Sequence, residues 1–198
     1  MKKTWLATIA TLGIAGVAAV TLPNAKPDRT GFEEEPGVAA LRLEVDLSQR
    51  QLHVIEGGEV TRSYPVAIGK PSYPTPRGNF NIRRLIWNPR WVPPDSEWAK
   101  KKTPKGPGEP GNPMGRVKIF FSEPDYYIHG TREVDSLGQA ESHGCLRMRN
   151  ADVISLAKKV MAAGGKPVKQ SFVRRVINRV RATQEVRLSA PVRLEITS

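Results

Sequence analysis

Cysteine is nearly absent from this sequence: one residue, Cys145, in 198. A single thiol has no partner within the chain, so a disulfide framework is excluded. Histidine is scarce as well, with only His53, His129 and His143. Acidic residues are outnumbered, 19 against 31 Lys and Arg, for a net charge of +12. That imbalance favours anionic partners: nucleic acid, acidic lipid headgroups or anionic cell-wall polymer. No internal repeat is visible, which excludes a solenoid. Long apolar runs are missing apart from one. With 39% hydrophobic and 25% charged residues, the chain is too polar for a multi-span membrane protein and ordinary for one globular domain.

The one apolar run is Trp5 to Leu22, preceded by Lys2 and Lys3. A basic head and an uncharged stretch of this length predict a signal peptide or an N-terminal membrane anchor over residues 1–22. Residues 23–40 are rich in Pro, Gly and charge and read as a linker. The expected location is therefore outside the cytoplasm, in the periplasm or cell envelope, with an inner-membrane anchor if the segment is retained.

From Leu41 the pattern changes to period two. Leu41, Leu43, Val45 and Leu47 alternate with polar residues, as on a half-buried strand. Gln51–Glu56 and Val60–Ile68 flank Gly57–Gly58, a hairpin signal. Further strands are predicted at Asn79–Arg84, Arg116–Phe121, Tyr126–His129, Cys145–Met148 and Val192–Ile196. Trp87 to Gly115 is long, proline-rich and irregular, and holds three of the four tryptophans. A stretch of that kind predicts a packed lid or groove wall. One helix is predicted from an Asn150 N-cap along Val153, Ile154, Leu156, Ala157 and Val160 to Gly164–Gly165. A second covers Ser171–Arg181. The predicted class is mostly β with one or two helices.

Chemistry converges near the thiol. An unperturbed Cys has a pKa of about 8.5 and is a poor nucleophile at neutral pH without a cation or base nearby. His129 ends one predicted strand, Cys145 begins another, and Gly130 to Glu141 join them. Paired in one sheet, these strands bring a nucleophile and a base together. Period two sets Arg147 on the same face as Cys145, where it is expected to favour the thiolate and to hold a substrate carboxylate. Gly144 permits a bend at which the N–H groups of His143, Gly144 and Cys145 converge on an oxyanion. The plain alternatives are a buried structural cysteine and a polar strand-end histidine. A zinc site on two His and one Cys lacks a fourth ligand at metal-like spacing, so no metal and no cofactor is expected. His53 reads as a solvent-facing strand residue.

These residues resemble a known family. His129–Gly130–Thr131 followed by Ser142–His143–Gly144–Cys145–Leu146–Arg147–Met148 is similar to the catalytic signature of the L,D-transpeptidase (YkuD-type) domain. Thr75–Pro76–Arg77–Gly78–Asn79–Phe80–Asn81–Ile82 and Asn112–Pro113–Met114–Gly115 resemble two further family segments, with Met114 where the family has Leu. The resemblance covers residues 41–167 and leaves 168–198 as a basic helix-and-strand extension; Gly165 to Ser198 carries a net charge of +6.

The resemblance implies a β-sandwich with a capping α-helix and a short C-terminal helix plus strand. It implies an exported enzyme of cell-wall biogenesis and cell shape that acts on peptidoglycan stem peptides. Cys145 would form the thioester, with D-alanine leaving and a second stem's amine resolving it. His129 would move the proton, oriented by the Gly130 carbonyl. His143, Gly144 and Ser142 would shape the oxyanion site, and Arg147 and Thr131 would bind substrate. The same residues serve an L,D-carboxypeptidase or endopeptidase that uses water. A non-catalytic wall-binding module is the reading from another class, against which the intact His129 and Cys145 speak. Nucleic-acid binding rests on charge alone and is set aside. Anionic wall polymer or a membrane surface remains an expected partner of the basic extension. A monomer is expected.

Overall fold

The computed structural model describes residues 41–198. The expectations for residues 1–22 and 23–40 therefore lie outside the described residues. The alternating run from Leu41 forms β1 (Arg42–Asp46), with Leu43 and Val45 fully buried. It pairs antiparallel with β2 (Gln51–Glu56), which turns into β3 (Glu59–Pro65). Gly57 and Gly58 both have positive φ, 63° and 84°. Such a turn matches strand twist and suits glycine.

Beyond the hairpin, β4 (Ile68–Gly69) leads to the ten-residue β5 (Gly78–Trp87). The irregular stretch after Trp87 contains only a short 3-10 turn, Glu97–Ala99. Then come β6 (Val117–Ser122), β7 (Tyr126–Thr131), β8 (Ala140–Ser142) and β9 (Leu146–Arg149). Helix α1 spans Asn150–Ala163, and β10 spans Gln184–Thr197. Eight strands form one sheet in the order β3-β2-β1-β10-β5-β6-β7-β9, and β4 pairs with β8 in a small second sheet. Tyr64 of β3 and Met148 of β9, from opposite edges of the large sheet, lie in one apolar cluster. The sheet therefore curls around its core. The expected mostly β architecture with a capping helix is the one observed.

Helix α1 closes the core. Val153, Leu156, Ala157, Val160 and Met161 are buried along one face. Trp87 is fully buried, and its indole N–H points at the Met161 sulfur at 3.3 Å. The expected N-cap role of Asn150 is not observed. Arg149 occupies the cap position, and no side chain caps the helix. The Asn150 amide is saturated elsewhere: Oδ1 accepts the Arg116 N–H at 2.9 Å, and Nδ2 donates to the Thr131 carbonyl at 3.0 Å.

The C-terminal strand is longer and more central than its sequence pattern predicts. β10 lies between β1, which it pairs in parallel, and β5, which it pairs antiparallel. The second predicted helix is reduced to one turn, Gln170–Phe172, followed by a π turn, Val173–Ile177. Only Val176 is fully buried there. The carbonyls of Val176, Arg179 and Ala182 face Nδ2 of Asn88 at 2.9–3.0 Å. A side chain of β5's exit thus satisfies groups that a regular helix would pair internally.

Candidate active site

The strands that carry His129 and Cys145 are neighbours. β7 and β9 run parallel, with Ile128 opposite Leu146 and His129 opposite Arg147. On the other side of β7, β6 runs antiparallel, with Lys118 opposite His129 and Phe120 opposite Tyr127. Alternation turns Ile119, Ile128 and Leu146 into the core. It turns Lys118, Tyr127, His129 and Arg147 to the other face. Lys118, His129 and Arg147 thus form a row across three strands, with Tyr127 and Cys145 forming a second row beside it. Cys145 itself precedes β9, which begins at Leu146.

This face forms the floor of a cleft of about 950 Å³ lined by Lys118, Tyr127, His129, Ser142, His143, Cys145 and Arg147, among others. The proline-rich stretch after Trp87 builds one wall, as its composition predicts. Trp98 from that wall stacks on His143 with ring centroids 4.0 Å apart and an angle of 16°. Tyr73 meets the same imidazole edge-on at 5.0 Å. His143 is thereby clamped at the mouth of the cleft, and partial burial, with Lys70 and Arg147 nearby, lowers its pKa.

His129 is 4% exposed. Its Nδ1 lies 2.8 Å from the Gly130 carbonyl, which can only accept, so Nδ1 carries the proton and Nε2 has the free lone pair. The carbonyls of Gly130 and Pro113 favour a charged ring, but burial outweighs them, and Arg147 and Lys118 add like charge. The pKa is pushed down to about 3. The imidazole is therefore neutral at physiological pH.

The thiol behaves otherwise than its arginine neighbour predicts. Burial raises the Cys145 pKa. Tyr127, Lys118 and then Arg147 pull it down without overcoming burial. Arg147 is the weakest of these, and its guanidinium is paired with Glu133 at 2.8 Å. The resting Sγ–H points to the Asp125 carbonyl at 3.2 Å rather than to His129. Iodoacetamide alkylation of Cys145 should accordingly climb with pH through a midpoint above the ordinary thiol range. A rate already at its plateau near neutral pH would instead show a stabilised thiolate.

The turn before Cys145 is held internally. Ser142 Oγ donates to the Cys145 carbonyl at 2.5 Å and accepts the Gly144 N–H at 3.1 Å. Gly144 has φ of 102°, and a Cβ there would stand 2.8 Å from the Tyr126 ring. Glycine is required by both conformation and space. Since Ser142 occupies the Gly144 N–H, the expected convergence of three donors loses Gly144.

Thr131 is placed away from the cleft lining. It is 4% exposed, its hydroxyl accepts the Glu133 N–H at 3.0 Å, and its carbonyl accepts from Asn150. Gly130 likewise acts through its carbonyl. Sequence reasoning does not single out Lys118, Tyr127 or Trp98. Lys118 does carry a signal: a charged residue alternating with Val117, Ile119 and Phe121. Among the described residues no group of three or more His, Cys, Asp or Glu could hold a metal ion.

A neutral buried His129 makes stability depend on acid. Its pKa falls from 6.5 to about 3 on folding, so between those values the unfolded chain binds the extra proton. Stability from this group is complete above pH 6.5 and is lost as pH falls toward 3, at up to about 1.4 kcal/mol per pH unit. Urea melts between pH 6.5 and 4 should show this slope, and His129→Gln should flatten it. An equal slope in both proteins would assign the acid sensitivity elsewhere.

Comparison with known proteins agrees with this geometry. Residues 40–177 match the sequence model of the YkuD L,D-transpeptidase catalytic domain. The YkuD protein of Bacillus licheniformis is 34% identical over 125 residues, which is 63% of either chain. That of Bacillus subtilis is 32% identical over 126 residues, 64% of either chain. The chain thus spans under two thirds of these relatives' lengths. Among solved structures, the catalytic domain of the Enterococcus faecium L,D-transpeptidase superposes with a TM-score of 0.51 at 16% identity, covering 80% of this chain and 98% of that one. L,D-transpeptidase 3 of Mycobacterium tuberculosis, solved with a faropenem-derived adduct, gives 0.51 at 15% identity over 82% and 61%. At such identities these two structures speak for the fold.

Proposed function

The chain belongs to the YkuD family of L,D-transpeptidase catalytic domains, and on that premise we propose an exported enzyme that cross-links peptidoglycan stem peptides through a Cys145 thioester. The observation that carries this reading is the row Lys118–His129–Arg147 with Cys145 beside it on the floor of one cleft. A protonated thiol beside a neutral imidazole with a free Nε2 is a nucleophile–base pair at rest. As Sγ attacks the carbonyl of the stem's L,D peptide bond, the thiol proton passes to His129. The oxyanion is met by the N–H groups of His143 and Cys145, held in place by the Ser142 turn. Collapse breaks the C–N bond, and His129 returns the proton to the departing D-alanine nitrogen. An amine of a second stem then attacks the thioester, gives its proton to His129 and restores the thiol as the cross-link forms.

Export rests on the sequence of residues 1–22, and residues 23–40 serve as the linker to the catalytic domain. No helix among the described residues is long and apolar enough to cross a membrane. The basic residues of 168–198 suit an anionic wall polymer or membrane surface. A pull-down test of that contact needs charge-removing substitutions, because deleting residues 170–198 would remove the central strand β10.

The test is mass spectrometry of disaccharide-tetrapeptides incubated with the full chain. Stem-to-stem dimers and free D-alanine are expected. Tripeptide monomers alone would make water the acceptor and the protein an L,D-carboxypeptidase. Unchanged tetrapeptides would overturn the enzymatic reading.

A further inference from the structure

Two cations flank His129, and their circumstances differ. Arg147 is paired with Glu133. Lys118 has no ion-pair partner among the described residues, although it lines the cleft and burial lowers its pKa. Its ammonium lies 3.8 Å from the Tyr127 ring centroid and 5.2 Å from that of Phe120. Asp125 contributes a weak field but no contact. A lysine held on two aromatic faces has given up much of its hydration, and cation–π contacts replace only part of it. A substrate anion placed there would gain more than at a freely hydrated surface lysine.

The chemistry of the proposed reaction supplies an anion at that place, and a subsite for this anion rests on the proposed function. His129 must reach the nitrogen of the leaving residue. In an amino acid the carboxyl carbon lies about 2.5 Å from the nitrogen, across one Cα. The acyl carbon is on Cys145, beside β9. The leaving nitrogen is at His129 on β7. The next strand in that direction is β6, which presents Lys118 directly opposite His129. Strands are about 4.8 Å apart, within the span of one residue and a lysine side chain.

We propose that Lys118 forms a carboxylate subsite that binds the free C-terminal carboxylate of the acyl donor, one residue beyond the bond that Cys145 attacks. The subsite makes the enzyme select donors that end at that residue. A longer or amidated donor leaves Lys118 without its counter-charge.

The test reads the subsite through the thiol and needs no turnover. Full-length protein is alkylated at pH 7 with iodoacetate and with iodoacetamide, which differ by one charge. The ratio of their rate constants cancels the thiolate fraction. Normalised to N-acetylcysteine, the wild-type ratio should favour iodoacetate by about tenfold, from one half-buried cation at short range. Lys118→Met should lower the ratio by most of that factor, and Lys118→Arg should retain it. A wild-type ratio no greater than that of N-acetylcysteine overturns the subsite without any variant. So does an unchanged ratio in Lys118→Met. With tetrapeptide donors, a C-terminal amide should lower kcat/KM about tenfold in wild type and little in Lys118→Met. If the protein forms no cross-links, the alkylation ratio still decides the subsite. If it forms them with an unselective ratio, the subsite alone falls.

Discussion

Cys145→Ala is expected to abolish stem-to-stem dimers, a loss of about 10⁴-fold or more, because no other group in the cleft forms an acyl intermediate. Ser142 is the obvious substitute, but its hydroxyl is spent on the Cys145 carbonyl and the Gly144 N–H. Stability should barely change. Cys145 is half-buried and makes one weak S–H bond, to Asp125. Its loss costs about 1 kcal/mol or less. The variant should therefore melt close to wild type while producing neither dimers nor free D-alanine. His129→Gln should cost about 10²–10⁴-fold, the usual worth of a general acid–base. The two losses should not add, since without the thiol His129 has no proton to move. Dimer formation by folded Cys145→Ala protein would show that the acyl group is carried elsewhere.

Much of this site is legible from sequence because its central pair lies on or beside two short apolar runs, although β7 continues past His129 to Thr131. Tyr126–His129 and Cys145–Met148 read as strand-like apolar runs, joined by the twelve residues Gly130 to Glu141. What alternation does not encode is the third strand. Lys118 meets His129 only because β6 turns into β7 in one particular register. The same limit hides the central place of β10, which lies between β1 and β5 through pairing with residues 97 or more positions earlier. Asn150 departs from expectation for a related reason. Local preference favours Asn at a helix start, but two long-range hydrogen bonds outcompete it. The motif suggests Thr131 as a groove residue, whereas its hydroxyl closes its own turn. The sign of the thiol shift escapes the sequence, which shows the neighbouring charge but neither its pairing nor the burial that opposes it.

Gly130→Ala should have the largest effect on stability. A Cβ on Gly130 would stand 2.2 Å from Asn150 Oδ1. A Cβ on Gly115 would stand 2.4 Å from the same atom and 2.6 Å from the Gly130 carbonyl carbon. Two backbones and one amide thus meet with no room for a methyl group. Asn150 cannot swing aside cheaply, because it would release the Arg116 N–H and the Thr131 carbonyl together. If β7 moves instead, the Gly130 carbonyl leaves His129 Nδ1 and the imidazole loses its tautomer lock. Either route costs about 3 kcal/mol of stability, the range of an overpacked site or an unpaired buried polar group. Activity should fall by about 10²-fold in kcat, since the base is misaligned. Asn150→Ala removes the obstructing oxygen and should cost about 2 kcal/mol alone. In that background Gly130→Ala should cost less than about 1 kcal/mol, giving a coupling energy near 2 kcal/mol in a double-mutant cycle. Urea melts of the four proteins decide it. Additive losses would mean that the methyl group is resisted by the strand itself, and that Asn150 does not hold the carbonyl on which His129 depends.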